Sequence, residues 1–293
     1  MGLFSAIFGR HSHKPKHDAA SSEPEPTQQK AQARDRAGST AVDRIIDEGD
    51  APNVSTDGLI TRRVCGVLIV APMTVEDDAL ERCGEYVRAE IGKNEYAQRQ
   101  LARRRTTLVI IPATTRMTDV AQFEGLRGHR TPDGRSWEDV RGSGGMQLRN
   151  GTFALAVPEE NLVHVQTLFA SYGSGYSVGM HELAHTLQDA AMTHQQRTRV
   201  SAMYHARMTL VRASGSTAGV FTDAYASEDE QEYFAQSTNC WFGKNIGEGA
   251  NGRDWLARHD PEMHAFLTTL YDGRLDARGD GAIDGAARST TIA

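Results

Sequence analysis

The chain has 293 residues, 39% of them hydrophobic, and a net charge of −6 at pH 7. This apolar content suffices for a domain of about 220 residues with a sizeable core, and the acidic balance gives no electrostatic reason to expect a nucleic-acid partner. Cys65, Cys83 and Cys240 are too few and too scattered for a disulfide framework or a cysteine-based zinc site, which favours a reducing, cytoplasmic compartment.

The two ends of the chain are predicted to be tails. Residues 1–55 are predicted to be disordered, because residues 11–40 are rich in Pro, Ser, Gln, Ala and charge. No signal peptide or transmembrane segment is visible, and residues 279–293 form a small-residue tail. Residues 1–10 could still make a weak membrane contact through a few apolar side chains, namely Leu3, Phe4, Ile7 and Phe8.

Residues 56–278 are predicted to form one α+β domain, in which a small mixed sheet precedes a helical C-terminal half. The predicted strands are residues 64–70, 107–111 and 151–157. The predicted helices are residues 75–91, 168–191, 195–212, 228–242 and 261–272. Residues 125–145 are predicted to be mainly loop, because they are rich in glycine and polar residues. The strand at residues 152–157 is the predicted sheet edge for an extended substrate.

The segment His181-Glu182-Leu183-Ala184-His185 carries the strongest chemical signal in the chain. Histidines four residues apart on a helix differ by about 400° of rotation, so both imidazoles leave the same face and can bind one zinc ion. Glu182 lies within reach of a water at that ion, as a general base requires. The alternatives are a chance match, expected in about one chain in forty, and a buried structural pair of histidines.

A third zinc ligand has to come from further along the chain. The metzincin extension is absent, because Gln188 and Ala191 occupy the positions that would hold glycine and histidine. Glu232 is the best candidate, in a helix that Ser227 and Glu230 are predicted to open as a capping box. Glu232 lies among aromatic residues, where an unpaired carboxylate is costly and zinc is a suitable partner.

These motifs resemble the gluzincin group that contains the anthrax lethal factor protease domain and the MtfA-type bacterial peptidases. The resemblance rests on Tyr-x6-Glu-Tyr-Phe-Ala downstream of His-Glu-Leu-Ala-His, and on the stretches Arg-Gly-Ser-Gly-Gly at residues 141–145 and Glu-Glu-Asn-Leu at residues 159–162. It covers about residues 130–271 and implies a zincin-like fold with one zinc ion per chain. It also implies roles for individual residues, with His181, His185 and Glu232 as zinc ligands, Glu182 as catalytic base and Tyr225 as hydrogen-bond donor to the oxyanion.

One position departs from the thermolysin pattern. Gln236 stands four residues after Glu232, where that pattern has aspartate, so the hydrogen-bond partner of the ligand histidines is not assigned. An alternative therefore stays open in which Glu228 binds zinc and Glu232 only hydrogen-bonds a ligand. The other interpretation of Glu228 is a solvated charge at a helix N-terminus.

The sequence thus predicts a zinc-dependent peptidase in which Glu182 activates a water at the metal to cleave a peptide or protein substrate. A second hypothesis is a zinc-containing regulatory module of the same fold, which binds a protein partner and has little peptidase activity. A third is a zinc hydrolase with another substrate. The presence of both Glu182 and Tyr225 favours an enzyme.

Overall fold

The computed structural model describes residues 53–54, 58–131, 134–169, 172–173, 175–245 and 250–272. The predictions of a membrane contact within residues 1–10 and of a second tail at residues 279–293 fall outside these described ranges. The first tail, predicted to be disordered over residues 1–55, falls outside them except for residues 53–54, which form a short strand instead. Within them, no helix combines the length and the apolar character needed to cross a membrane.

The fold class is α+β, as predicted, and the described strands form one mixed sheet in the order β1-β2-β3-β4-β6-β5. Strand β4 pairs in parallel with β3 on one side and with β6 on the other. The remaining pairs, β1 with β2, β2 with β3 and β5 with β6, are antiparallel. The strands are β1 (Asn53–Val54), β2 (Leu59–Val64), β3 (Val67–Pro72), β4 (Thr107–Ile111), β5 (Ser143–Gln147) and β6 (Phe153–Pro158).

Residues 64–70 do not form the single strand that was predicted. Strands β2 and β3 make a hairpin, and Cys65 and Gly66 turn the chain with φ of 48° and 82°. Positive φ at both central residues gives the tight turn whose twist matches the twist of paired strands. The apolar run continues through this turn, so hydrophobicity alone did not reveal it.

Eight helices lie in the described part of the chain, mostly in its C-terminal half. They are α1 (Asp77–Ile91), α2 (Glu95–Arg103), α3 (Glu159–Leu162), α4 (Val178–Ala190), α5 (His194–Ser214), α6 (Glu230–Trp241), α7 (Arg253–His259) and α8 (Pro261–Tyr271). The sequence did not predict α2, α3 or α7. Helix α4 also begins ten residues later than the predicted start at residue 168, because Ser177 caps it by accepting a hydrogen bond from the Met180 N–H.

The two faces of the sheet are covered by two separate cores. Strand residues alternate between faces, so Leu108 and Leu155 join the main core with the helices. Their neighbours Val109 and Ala154 join a smaller core on the other face, together with Phe123. Burial on both faces explains why β4 and β6 are continuous apolar runs rather than alternating ones. Helix α4 packs under β6 and β5 on the main-core side.

The sheet edge next to α4 is β5, which corrects the assignment of residues 152–157 to that edge. Strand β6 is an interior strand, hydrogen-bonded to β4 on one side and β5 on the other. A Cβ on Gly144 would overlap the Glu182 carbonyl oxygen, and one on Gly142 would overlap Val178. Glycine is therefore required at the start of β5 and just before it, because the backbone there lies directly against α4.

Candidate metal centre

The start of α4 is fixed by Asn161, in the Glu-Glu-Asn-Leu stretch. The Asn161 side chain accepts a hydrogen bond of 2.7 Å from the Val178 N–H and donates one of 2.9 Å to the Tyr176 carbonyl. One side-chain amide thus pairs with both the first N–H of the helix and a carbonyl just before it. These two hydrogen bonds fix the position of the N-terminus of the helix that carries the two histidines.

The rest of that stretch, together with Arg141, ties the strands to the loops around the site. The Glu159 carboxylate accepts hydrogen bonds from the backbone N–H groups of Glu76, at 2.8 Å, and Ala113, at 2.9 Å. Arg141 pairs with Glu160 at 2.7 Å, with both side chains at most 3% exposed. Because a buried charge is tolerated only when it is paired, these contacts give the two stretches a structural role in holding β5 and α3 in place.

The residues His181, Glu182 and His185 come together as the spacing of the motif predicts, with one potential ligand atom from each within 4.8 Å of the others. The two imidazoles meet edge to face, with ring centroids 4.6 Å apart and Nε2 atoms 3.0 Å apart. His181 is buried, whereas Glu182 and His185 are half-buried.

Glu232 of α6 reaches the same point from the opposite side. Its Oε2 atom lies 3.2 Å from the His181 Nε2 atom and 3.6 Å from the His185 Nε2 atom. Its Oε1 atom accepts a hydrogen bond of 2.7 Å from the Tyr225 hydroxyl. Although it is buried, Oε2 makes no hydrogen bond of acceptable geometry within the described part of the chain. An orphaned carboxylate oxygen aimed at two imidazole nitrogens is a feature of a metal site.

The three atoms have separations close to those between the ligands of a tetrahedral metal. Ligands about 2.0–2.2 Å from a zinc ion in tetrahedral geometry are about 3.3–3.6 Å from one another. The corresponding separations here are 3.0, 3.2 and 3.6 Å. Two imidazoles and one carboxylate also form a donor set that suits zinc, and they leave a fourth position for water or substrate. The residues therefore fit the predicted ion.

The electrostatics of the cluster also favour a cation. Burial alone would lower the pKa of His181, but the negative charges of Glu232 and Glu182 outweigh it and raise that pKa to about 9. Burial opposes ionisation of Glu232 as well, yet His181 and His185 hold its pKa well below the usual range. Burial raises the pKa of Glu182. A pocket that stabilises a proton on its histidine in this way can exchange that proton for a metal ion.

Helix α6 begins differently from the prediction. Its cap is Asp229, whose carboxylate accepts hydrogen bonds from the N–H groups of Gln231 and Glu232, both at 2.8 Å. Ser227 and Glu230 do not form the predicted capping box, because the Ser227 hydroxyl donates to the Ala224 carbonyl instead. The Asp229 cap fixes the first turn of α6 and therefore the backbone position of Glu232.

The hydrogen-bond partner of His181, which the sequence left unassigned, is Gln236. The His181 Nδ1 atom lies 3.0 Å from Gln236 Oε1, and the Tyr176 hydroxyl donates to the same oxygen at 2.9 Å. The Gln236 Nε2 atom donates in turn to Asp223 Oδ2 at 2.6 Å. The position of Gln236, one turn after Glu232 on the same helical face, could have indicated this role. Nothing in the sequence singled out Asp223.

No protein-family model matches the chain. No curated protein sequence matches it. Among solved structures, the chain is similar to the Pro-Pro endopeptidase PPEP-2 from Paenibacillus alvei, with 16% sequence identity and a TM-score of 0.42 over 69% of this chain and 97% of that one. A likeness of this size transfers no chemistry, so the gluzincin assignment stays a prediction and the function has to be inferred from the site itself.

Proposed function

We propose that this chain is a zinc-dependent peptidase, with His181, His185 and Glu232 as the zinc ligands and Glu182 as the general base. The observation that carries the proposal is the convergence of two Nε2 atoms and one orphaned carboxylate oxygen at tetrahedral spacing, beside a second carboxylate. A buried cluster of this composition is unstable as a purely structural feature, because its charges and lone pairs are only partly satisfied.

Two glutamates lie close enough to the histidines to bind the metal, and the contacts favour Glu232. Its Oε2 atom faces the Nε2 atoms of both histidines. Its Oε1 atom accepts a hydrogen bond from Tyr225, and a hydrogen bond of this kind commonly orients a metal ligand. Glu182 lies next to a ligand histidine on the same helix, which suits a base that reaches the fourth position. Glu228 is exposed, which argues against the alternative ligand.

Zinc bound in this cluster would lower the pKa of a water to about 7 and polarise the carbonyl of the scissile bond. Glu182 accepts the proton of that water through its carboxylate, and later returns the proton to the departing amine nitrogen. The raised pKa of Glu182, which follows from burial, brings its proton affinity closer to that needed at neutral pH.

Tyr225 is the proposed donor to the developing oxyanion. Its ring stacks on His181 with centroids 6.1 Å apart, and its hydroxyl donates to Glu232. Burial, followed by the charge of Glu232, holds the pKa of Tyr225 far above the usual range, so the hydroxyl stays protonated and can act as a donor. In the proposed reaction this hydroxyl moves from the Glu232 oxygen to the substrate oxyanion.

The proposed substrate is a peptide in extended conformation. Strand β5 ends the described sheet and lies against α4 immediately beside Glu182. A peptide added to the outer side of β5 would gain main-chain hydrogen bonds and pass over the metal cluster. Main-chain recognition of this kind favours peptides and proteins over other hydrolysable substrates.

The test is a Glu182→Gln variant, which keeps the size of the side chain but cannot accept a proton. We expect it to bind zinc like the wild type, since residue 182 is not a proposed ligand, and to cleave peptides about 100- to 10,000-fold more slowly. The measurements are metal content by atomic spectroscopy and turnover of a mixed peptide library. Glu228→Gln, which changes an exposed carboxylate just before the start of α6, is the matched control.

Three outcomes are informative. Normal cleavage by Glu182→Gln removes this residue from the mechanism. A wild-type protein that binds zinc but cleaves no peptide supports the regulatory module instead. A wild-type protein that binds no zinc contradicts the proposal as a whole.

A further inference from the structure

A chain of three side chains connects the metal cluster with the loop before α6. Gln236 lies between His181 and Asp223, and its amide contacts both, with the oxygen 3.0 Å from His181 Nδ1 and the nitrogen 2.6 Å from Asp223 Oδ2. Gln236 is 4% exposed, so water does not compete for these contacts. This chain of contacts is called the amide relay below, and comprises His181, Gln236 and Asp223.

The orientation of the Gln236 amide is determined by Asp223. A carboxylate can only accept hydrogen bonds, so the Gln236 NH2 group has to face Asp223 and the Gln236 oxygen has to face His181. Asp223 itself is held by other donors, the Ala226 N–H at 2.8 Å and the Asn245 side-chain amide at 3.2 Å. The assignment of oxygen and nitrogen in Gln236 therefore follows from chemistry rather than from the fit of the side chain alone.

The same logic determines which nitrogen of His181 is available to a metal. A histidine has to be neutral to bind a metal and then carries one proton. Because Gln236 presents an oxygen, that proton lies on Nδ1, and the lone pair lies on Nε2. It is Nε2 that faces His185 and Glu232.

We propose that Asp223 and Gln236 are positioning residues that fix His181 in the Nδ1–H tautomer, and that Asp223 acts on the metal cluster only through Gln236. The inference rests on the proposed zinc site. It explains why an amide can stand where the thermolysin pattern has an aspartate. The Gln236 amide oxygen accepts a hydrogen bond from His181 Nδ1–H without adding a third carboxylate to a pocket that already contains Glu182 and Glu232. The charge that orients the amide, on Asp223, lies one residue further along the relay.

The first test reverses the relay. In Asp223→Asn, the remaining oxygen stays with the Ala226 N–H, because a backbone donor cannot change its role, and the new NH2 group faces Gln236. Gln236 then turns its own NH2 group towards His181 Nδ1 and draws the proton to Nε2, which cannot bind zinc while it is protonated. We expect zinc affinity, measured by competition with a chromophoric chelator, to fall about 10- to 100-fold. Asp254→Asn, an exposed aspartate of α7, is the control and should not change it.

The second test asks whether Asp223 acts through Gln236. Gln236→Leu removes the acceptor for His181 and should also weaken zinc binding about 10- to 100-fold. Adding Asp223→Asn to Gln236→Leu should then change the affinity by no more than about twofold to threefold, the size of ordinary additivity errors. A purely structural role for Asp223 predicts instead that the two losses multiply.

The third test exchanges the two groups. In Asp223→Asn/Gln236→Glu, the carboxylate at position 236 accepts from His181, from Tyr176 and from the new amide at position 223, so the tautomer is restored. We expect zinc affinity to recover to within about threefold of wild type. The contact from Asn245 is lost equally in the single Asp223→Asn variant and in the exchanged variant, so it cancels in the comparison between those two.

The outcomes separate this inference from the function on which it rests. A wild-type protein that binds no zinc overturns both. Zinc binding by the wild type, with affinity unchanged in Asp223→Asn or not recovered in the exchanged variant, overturns the relay and leaves the zinc site intact. Loss in the single variants, non-multiplying losses in the double variant and recovery in the exchanged variant support the relay.

Discussion

Tyr225 and Glu232 share a hydrogen bond of 2.7 Å, so the tyrosine hydroxyl has two separable effects. It orients a proposed zinc ligand, and it is the proposed donor to the oxyanion. Tyr225→Phe keeps the ring stacked on His181 and removes only the hydroxyl. At saturating zinc we expect kcat to fall about 10- to 1,000-fold with little change in KM, as for a contact made in the transition state.

Steady-state kinetics at several zinc concentrations check this expectation for Tyr225. If the hydroxyl only orients Glu232, zinc affinity falls but kcat at saturating zinc equals that of the wild type. Tyr204→Phe is the control, because the Tyr204 hydroxyl donates to the backbone carbonyls of Ser227 and Glu228 rather than into the cluster.

The choice between Glu232 and Glu228 as third ligand can be made by measuring bound metal. Glu232→Ala removes the oxygen that faces both histidines, so zinc binding should weaken by more than about 100-fold, since even residues that only contact a ligand cost 10- to 100-fold. Glu228→Ala should retain zinc. Isothermal titration of the metal-free variants is the measurement, and the reverse pattern would assign the ligand to Glu228.

Local spacing was enough to predict some of the site residues, and tertiary contacts were needed for others. His181, Glu182 and His185 lie within one helical turn or so, where the geometry of a helix fixes their relative positions. Asp223 contacts Gln236 only because a loop folds back against α6. No spacing rule describes that contact, so the sequence offered no reason to select this aspartate among the others.

At the scale of elements, β5 lies in close contact with α4. Gly144 has ordinary backbone angles, so alanine would be tolerated there except that its Cβ overlaps the Glu182 carbonyl. We expect Gly144→Ala to destabilise the protein by about 1–3 kcal/mol, as overpacking does. This corresponds to a decrease in Tm of about 2–4 °C per kcal/mol for a domain of this size.

Gly125→Ala is the matched control for Gly144→Ala. A Cβ at Gly125 meets no atom within 4 Å, so its Tm should be close to that of the wild type. Thermal unfolding followed by circular dichroism makes the comparison. Equal Tm values for the two variants would show that β5 can move away from α4 without cost.

The elements that the sequence missed are those whose composition is determined by packing. Strand β5 contains glycines that normally indicate a loop, but here they allow contact with α4. Strand β4 was predicted correctly at Thr107–Ile111, because a buried apolar run ended by proline leaves few alternatives. Helix α2 was missed although Asn94 caps it by accepting from the Ala97 N–H, because it has only nine residues, few of them apolar.

At the scale of the whole molecule, a buried acid makes stability depend on pH. Glu90 of α1 is completely buried, and its carboxylate oxygens have no hydrogen-bond partner among the described residues. Burial raises the pKa of Glu90 well above 4.5 in the folded state. As pH rises above 4.5 the unfolded chain releases this proton while the folded chain keeps it, so ionisation stabilises the unfolded state and folding stability falls.

Glu90→Gln removes this titration. We expect the Tm of the variant minus that of the wild type to increase as the pH rises above 5, because only the wild type loses stability through Glu90. Glu85→Gln changes an exposed acid of the same helix and should show a flat difference. A flat difference for Glu90→Gln would mean that this residue ionises at its ordinary pKa inside the core, against the expected effect of burial.

The proposed ligands are divided between two helices that contact each other but are separated along the chain by the whole of α5. In polymer terms, a metal held by α4 and α6 is a cross-link that closes a long loop. The entropic cost of closing such a loop grows only slowly with loop length. Most of the free energy of metal binding would therefore add to the free energy of unfolding. With zinc bound at the proposed site, the helix that carries Glu182 could not separate from α6 without losing the ion. Local opening that exposes the cluster would then be coupled to loss of the proposed activity.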